Sequence, residues 1–149
     1  MKVLILTAVC LKMLSAHVPF QWSISHIACR EHVNPVLVAA IVKTESNFNP
    51  RAVGFDPGGY SWGLGQIKWS TARWLGFKGS KTDLLKPATN LVWMVKYLKR
   101  LARTHPYGWD SVAAYNLGRA RWSGHYANSA YVLRVWRNYR HLIKTKKKT

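Results

Sequence analysis

Apolar residues recur with the 3.6-residue period of an α-helix along most of the chain, and most clearly in three stretches. These stretches read "NPVLVAAIVKTES", "KPATNLVWMVKYLKRLARTH" and "NSAYVLRVWRNYRHLIK", and each is predicted to form a helix. Shorter helices are predicted in "SISHIACREH", "STARWLG" and "DSVAAYNLG". The pattern therefore predicts a mainly α protein.

Residues typical of helix ends flank several of these stretches. Asn34 is predicted to cap the helix that begins at Pro35, since asparagine is favoured at the N-cap and proline at the first helical position. Ser70 is predicted to cap a short helix that Gly76 ends. In the last helix, the face predicted to point inward carries Val132, Val135, Trp136 and Tyr139.

The segment 47–66 interrupts the helical pattern. It contains five glycines and two prolines, which are too many breakers for a helix. Alternation of apolar and polar residues is too weak there to predict an extensive sheet. We expect a glycine-rich loop that holds at most a short hairpin.

Length and charge set the broad class of the protein. The chain has 149 residues, of which 48% are hydrophobic, and this is enough for one compact domain with a core. Its 23 Lys and Arg residues outnumber five Asp and Glu, which gives a formal net charge of +18. A surface this positive attracts polyanions such as nucleic acid, anionic lipid and the acidic polymers of a bacterial envelope.

The two ends of the chain differ from its body. Residues 1–18 hold a lysine, a short apolar run and a small residue, which predicts either a secretory signal peptide or an uncleaved apolar segment. Residues 19–143 are predicted to form the domain, and residues 144–149 a solvated basic tail. No stretch is long enough to predict a stable membrane span.

One helix carries a carboxylate on its apolar face. The stripe consists of Val38, Ile41, Val42 and Glu45, at i, i+3, i+4 and i+7. Burial and the negative end of the helix dipole both disfavour the anion, so the pKa of Glu45 should rise, as a general acid requires. The alternative is a glutamate at the edge of the stripe with its head in water.

Two downstream motifs supply groups suited to sugar binding. "GGYSWGLGQIKW" places glycines beside Tyr60 and Trp62 and ends its glycine run near Gln66. Glycines such as Gly63 allow close approach of the backbone, aromatic faces suit sugar rings, and an amide both donates and accepts hydrogen bonds. The alternative is a surface turn with its aromatic residues in the core.

The second motif, "AAYNLG", ends a helix with Tyr115 and Asn116. A phenol can donate a hydrogen bond to a carboxylate, and an amide can orient one. Taken alone, the motif favours a core tyrosine followed by a terminal cap. Its order after the glutamate and the glycine-rich segment gives it weight.

Together, Glu45-Ser46 followed by "NFNPRAV", then "GLGQIKWSTA", then "AAYNLG", resemble the lytic transglycosylase domain of the soluble (SLT) family. The resemblance runs from about Ser25 to about Val135. It implies a lysozyme-like, mostly helical fold whose glycine-rich loop lines a cleft, and cleavage of peptidoglycan. It further implies that Glu45 is the catalytic acid and base, that Ser46 and Tyr115 are its neighbours, and that Gln66 and Asn116 form part of the glycan groove.

One residue departs from the family's pattern. Gly65 stands where the family usually has Met or Cys, so we expect the groove wall beside Gln66 to be wider or looser than in relatives. We expect a monomer, and we expect it to act in the periplasm or outside the cell, at the cell wall. The biological setting, whether secretion apparatus, wall remodelling or phage, is left open by these residues.

A single-acid reaction fits the scarcity of carboxylates. The resemblance implies that Glu45 protonates the bond between N-acetylmuramic acid (MurNAc) and N-acetylglucosamine (GlcNAc), and then helps to form a 1,6-anhydro ring. A lysozyme-type hydrolase, in which Asp56 directs a water molecule, is the first alternative.

The second alternative is a cationic module that binds nucleic acid or envelope polyanions without turnover. No nucleic-acid-binding motif is recognisable, so nucleic acid is not the predicted partner. The six histidines lack the spacing of metal ligands, and neither cysteine has the spacing of a zinc site. We therefore expect no metal and no cofactor.

Overall fold

The computed structural model describes residues 14–106, 109–122 and 124–146. Its described residues form six α-helices, a 3₁₀ helix (Thr82–Leu85) and two small antiparallel sheets, which confirms the mainly α prediction. The helices are α1 (Gln21–Arg30), α2 (Pro35–Ser46), α3 (Trp69–Trp74), α4 (Pro87–Thr104), α5 (Asp110–Leu117) and α6 (Ser129–Lys146). The strands are β1 (Val53–Asp56), β2 (Gly59–Trp62), β3 (Ile67–Lys68), β4 (Arg121–Trp122) and β5 (His125–Tyr126).

The two ends of the chain lie partly outside the described residues. Most of the predicted leader, residues 1–13, and the last residues of the basic tail, 147–149, are not described. Helix α6 runs to Lys146, so the basic run begins within that helix. Among the described residues, no helix combines the length and the apolar character that a membrane crossing requires.

Helix α2 is the central helix of the core. The Asn34 side chain accepts hydrogen bonds from the backbone N–H groups of Val36 and Leu37, at 2.9 and 3.4 Å, which confirms the predicted cap. The helix ends at Asn47, whose φ of 49° lies in the left-handed region. Helix α2 packs against α1 and α6. These contacts cover the apolar face that carries Val38, Ile41 and Val42, which are fully buried.

The predicted loop contains a three-stranded sheet in the order β1-β2-β3. Asp56 pairs with Gly59 across a two-residue turn, Pro57-Gly58, so the hairpin is tight. Val53 and Phe55 share one face of the hairpin with their partners Tyr60 and Trp62. Much of this apolar face is exposed, so these strands lack the buried apolar positions by which a core strand is recognised in a sequence.

Two expectations about helix boundaries and faces are wrong. Ser70 lies inside α3, whose N-cap position is Lys68, because the chain enters the helix directly from β3. Trp136 is 38% exposed, whereas Val132 and Val135 are buried as predicted. The buried face of α6 is centred on Tyr131 and Val135, which turns Trp136 outward, where Arg140 lies 5.0 Å above its ring.

A buried asparagine connects α4 to the glycine-rich segment. The Asn90 side chain donates to the carbonyls of Trp62 and Leu84, each at 2.7 Å, and accepts from the Gly65 backbone N–H at 2.8 Å. These three bonds satisfy a fully buried amide. They fix the segment that follows β2 against the helix, and so they position the wall of the cleft described below.

Candidate active site

A cleft of about 570 Å³ lies where the end of α2 meets the three-stranded sheet, α4 and the end of α5. The residues that line it include Glu45, Asp56, Ser61, Gln66, Tyr97 and Asn116. Because α2 delivers Glu45 from the core side and the sheet supplies the opposite wall, the carboxyl is reachable from a groove. The volume accommodates part of a polymer rather than only a water molecule.

Glu45 is a partly buried carboxyl in this cleft. Burial raises its pKa to about 7, although a hydrogen bond from Tyr131 and the charge of Arg134 act in the opposite direction. The Tyr131 hydroxyl donates to Glu45 Oε1 at 2.5 Å. The carboxyl therefore keeps its proton over a pH range in which ordinary glutamates are ionised.

Sequence reasoning missed Tyr131. Its ring is buried between α6 and α2, and Arg134 lies 5.9 Å from the ring centroid. A tyrosine on the apolar face of α6 is a visible signal, since a buried hydroxyl needs a partner. The identity of that partner, 86 residues earlier in the chain, could not be derived from spacing along one helix.

Tyr115 lies near Glu45 but bonds elsewhere. Its hydroxyl donates to the carbonyl of Gly65 at 2.7 Å, and its ring lies 5.3 Å from that of Tyr97. Burial, followed by the charge of Glu45, raises the pKa of Tyr115 well above its usual value. The phenol thus stays protonated beside the acid and ties α5 to the glycine-rich segment.

Ser46 and Gln66 hold the wall of the cleft from two sides. The Ser46 hydroxyl lies 2.8 Å from the Leu64 carbonyl, which joins the end of α2 to the glycine-rich segment. Gln66 donates to the carbonyls of Ala52 and Gly63 at 3.1 and 2.9 Å and accepts from Ser61 at 2.9 Å. Both polar groups of the Gln66 amide therefore already bond to protein.

The two glycines of "GLG" approach the protein closely. At Gly63, with φ of 69°, a Cβ atom would meet the Leu84 carbonyl oxygen at 2.4 Å and the Asn90 amide at 2.5 Å. At Gly65, a Cβ atom would lie 2.6 Å from the Met94 sulfur. Met94 of α4 fills the space that a larger residue at 65 would take, and the expected wider or looser wall stays a prediction.

Tyr60 and Trp62 do not line the cleft. Both belong to the face of the hairpin that does not line the cleft, where Tyr60 packs 4.9 Å from Phe55 and 6.1 Å from Trp62, measured between ring centroids. Tyr60 is exposed there, whereas Trp62 is partly buried against a small apolar cluster that includes Ile67 and Leu84. Residues of a strand alternate between the two faces, so Ser61, between them, faces the cleft instead. The structure brings Glu45, Gln66, Tyr115 and Asn116 together, and leaves these two aromatic residues outside that group.

Asn116 lies at the edge of the cleft, exposed at the end of α5. Its side-chain oxygen accepts a hydrogen bond from the Asn128 amide at 2.9 Å. The same Asn128 amide contacts the carbonyl of Ala113 at 3.1 Å. Asn116 is thus held in one orientation by the segment that precedes α6.

The other carboxylates are all ion-paired. All five acidic residues lie in the described part of the chain, and four contact Lys or Arg at 2.6 to 3.0 Å. These four pairs are Asp56 with Lys68, Asp83 with Lys86, Glu31 with Lys99 and Asp110 with Arg121. Hydrogen bonds from Lys68 and from the Gly58 N–H lower the pKa of Asp56, so this residue is ionised at the rim of the cleft. Among the five carboxylates, Glu45 is the one that lines the cleft and has a raised pKa.

Metal-binding clusters are not found in the part of the chain that the structure describes. There, no three His, Cys, Asp or Glu side chains converge closely enough to hold an ion. The groups that line the cleft include the Glu45 carboxyl, the ion pair of Asp56 with Lys68, the hydroxyls of Tyr97 and Tyr115, and the amides of Gln66 and Asn116.

Comparison with known protein families agrees with the fold. Residues 23–131 match the Transglycosylase SLT domain, and this match covers most of the chain and includes Glu45, Gln66, Asn116 and Tyr131. The chain belongs to this family, whose lytic transglycosylase-type activity is directed at peptidoglycan. A comparison with curated protein sequences found no significant match.

Proposed function

We propose that this protein is a lytic transglycosylase that cleaves the β-1,4 bond between MurNAc and GlcNAc in peptidoglycan, with Glu45 as its one catalytic carboxyl. A single observation carries the proposal: Glu45 lies in the cleft with a pKa of about 7, whereas the four other carboxylates are paired with cations. A protonated acid near neutral pH can donate to the glycosidic oxygen as the bond breaks.

The same carboxyl then acts as the base. Once Glu45 has given its proton to the GlcNAc oxygen, its carboxylate takes the proton of the C6 hydroxyl of the MurNAc ring. That hydroxyl oxygen bonds to C1 as the glycosidic bond is lost, and the product ends in a 1,6-anhydro ring. No water is consumed, and Glu45 finishes with the proton it needs for the next cycle.

Tyr131 and Arg134 support the ionised intermediate state of Glu45. The Tyr131 hydroxyl is already within hydrogen-bond distance of Oε1, and the Arg134 charge also favours the carboxylate. Both interactions strengthen when the carboxyl becomes charged, as it does after proton donation. We assign Tyr131 as a positioning residue that stabilises the base.

The remaining site residues divide into two roles in this proposal. Ser46 and Tyr115 position the wall of the cleft through the carbonyls of Leu64 and Gly65. Gln66 and Asn116 line the cleft and are assigned to the glycan strand. Sugar contacts by Tyr60, Trp62 and Gly63 stay a prediction, which the position of both aromatic rings outside the cleft and the tight packing of Gly63 do not favour.

A lysozyme-type hydrolase is the second candidate, because Asp56 also lines the cleft and is ionised. A protonated and an ionised carboxyl on one groove form the pair used by ordinary glycosidases. However, Lys68 and the Gly58 N–H already occupy one oxygen of Asp56, at 2.6 and 2.7 Å. This pairing lowers its basicity toward water, so we rank hydrolysis second.

Digestion of purified cell walls in ¹⁸O-labelled water separates the two reactions. The proposal predicts muropeptides that end in unlabelled 1,6-anhydro-MurNAc and are lighter by one water than hydrolysis products. Labelled reducing ends would show hydrolysis instead and refute the proposal. Such an enzyme acts outside the cytoplasm, where its substrate lies.

A further inference from the structure

A second groove lies beside the C-terminal half of α4 and has a volume of about 420 Å³. It is lined by Leu75, Thr104 and four cationic residues, Lys96, Lys99, Arg100 and Arg103. None of these residues lines the cleft that contains Glu45. The groove is therefore a separate, strongly positive surface.

The four cations form one stripe along the helix. They stand at i, i+3, i+4 and i+7, so neighbours on the stripe bear like charges at the spacings that bring helical side chains together. Each such pair destabilises an isolated helix by a few tenths of a kcal/mol. Over seven residues the stripe extends about 10 Å along the axis.

Little in the described structure offsets this repulsion. Glu31 contacts Lys99 at 3.0 Å, and it is the one carboxylate of the described chain that pairs with a member of the stripe. The helix dipole favours cations only in the last turn, where Arg103 lies. Lys96 and Arg100 instead lie over Trp93 and Trp74, at 4.4 and 4.6 Å from the ring centroids.

We propose that this groove binds a phosphodiester polymer of the cell envelope and holds the enzyme at the wall. The inference rests on the proposed function for its setting, because the substrate and such polymers occur in the same layer. Charge complementarity carries it: a stripe of four cations needs a ligand with several negative charges spread over about 10 Å. A single phosphate would contact only part of this stripe.

Nucleic acid fits this groove less well. Sites for single strands combine cations with aromatic faces on which bases stack. Here Lys96 and Arg100 lie over the Trp93 and Trp74 rings, at 4.4 and 4.6 Å from the centroids, so a base stacking on those faces would first have to displace a cation. Of the two rings, Trp74 is the exposed one, and a single exposed ring is less than the row of stacking faces that such sites use. A flexible sugar-phosphate or glycerol-phosphate polymer needs only the charges.

The test uses the full chain with Glu45→Gln, so that turnover does not disturb binding, and poly(glycerol phosphate) as the probe. The groove variant is Lys96→Gln, Arg100→Gln and Arg103→Gln. The matched control is Arg137→Gln, Arg140→Gln and Lys144→Gln, which removes the same charge from a similarly spaced stripe on α6. We expect the groove variant to lose roughly tenfold or more in affinity, and the control about threefold or less.

Equal losses in the two variants would overturn the proposal, because they would show that the net charge alone attracts the polymer. Tighter binding of single-stranded DNA than of poly(glycerol phosphate) at equal phosphate concentration would also overturn it. With Glu45 retained, the groove variant should cut short glycan fragments that carry no phosphodiester polymer at the wild-type rate, and a lower rate would contradict a separate docking role. Failure of the ¹⁸O experiment leaves the binding comparison unchanged, so the two proposals fail independently.

Discussion

At the scale of the residue, the raised pKa of Glu45 makes the stability of the folded protein depend on pH. Its pKa rises from 4.5 to about 7 on folding, which corresponds to up to roughly 3 kcal/mol between the charged and neutral forms. The folded state binds the proton more tightly than the unfolded state does. The stability from this group is thus complete below about pH 4.5 and is lost as the pH rises through about 7.

Tyr131→Phe tests how the tyrosine acts on this carboxyl. Its hydrogen bond favours the ionised form and lowers the pKa of Glu45, so its removal should raise that pKa further. We expect the alkaline limb of the kcat/KM profile on soluble glycan fragments to move to higher pH. We also expect kcat to fall roughly tenfold or more, because the carboxylate loses its orienting donor.

Tyr139→Phe is the matched control for this substitution. Tyr139 lies on the same helix, and its hydroxyl accepts a hydrogen bond from Asn34 at 3.2 Å, away from Glu45. Its loss should leave the pH profile in place. A profile that is identical in Tyr131→Phe and wild type would contradict the assigned role of Tyr131.

At the scale of the element, the cleft depends on how α4 holds the glycine-rich segment. Asn90 bonds to Trp62, Leu84 and Gly65, and the last of these also accepts from Tyr115 of α5. Helices α4 and α5 therefore both hydrogen-bond to one short segment, and at Gly63 and Gly65 neighbouring atoms lie too close for a side chain. The wall opposite Glu45 is rigid for this reason.

Asn90→Ala should destabilise the fold by roughly 3 kcal/mol or more, since it removes the partner of a buried N–H, a buried carbonyl and a partly buried carbonyl. Chemical denaturation measures this loss. Asn138→Ala is the control, because the Asn138 amide donates a single bond of 2.9 Å to Thr44. Similar losses for the two variants would contradict a central role of Asn90.

The elements were predictable where one helix face meets the core. Helix α2, with its Asn34 cap and Pro35 start, follows from local signals that the tertiary structure does not oppose. The three-stranded sheet and the β4-β5 hairpin were not predicted as such, because their strands are two to four residues long and mostly not buried. Ser70 and Trp136 were predicted wrongly, because the start of a helix and the face that it buries depend on the elements next to it.

At the scale of the whole molecule, the site joins distant parts of the chain. Glu45 was predictable because a carboxylate on an apolar stripe is visible in one helix. Tyr131 was not, because its contact depends on how α6 packs against α2. The position of Tyr60 and Trp62 outside the cleft likewise depends on which face of the hairpin meets the rest of the protein.

The cationic residues are not spread evenly over the molecule, because four of them line one groove on α4. The cleft contains an acid whose proton is kept by burial, while the second groove gathers four cations on α4. A net charge of +18 would draw the protein toward any polyanion, and the groove offers a defined place for one. Catalysis and attachment are thus proposed for different surfaces of one small domain.

Titration of the Glu45 carboxyl carbon by NMR, assigned by comparison with Glu45→Gln, examines the central claim most directly. The account predicts a midpoint near pH 7, well above those of Glu31, Asp56 and Asp83, whose pKa values are lowered by their hydrogen bonds to lysines. A midpoint near the ordinary value of 4.5 would leave the proposed reaction without its proton donor and contradict the account.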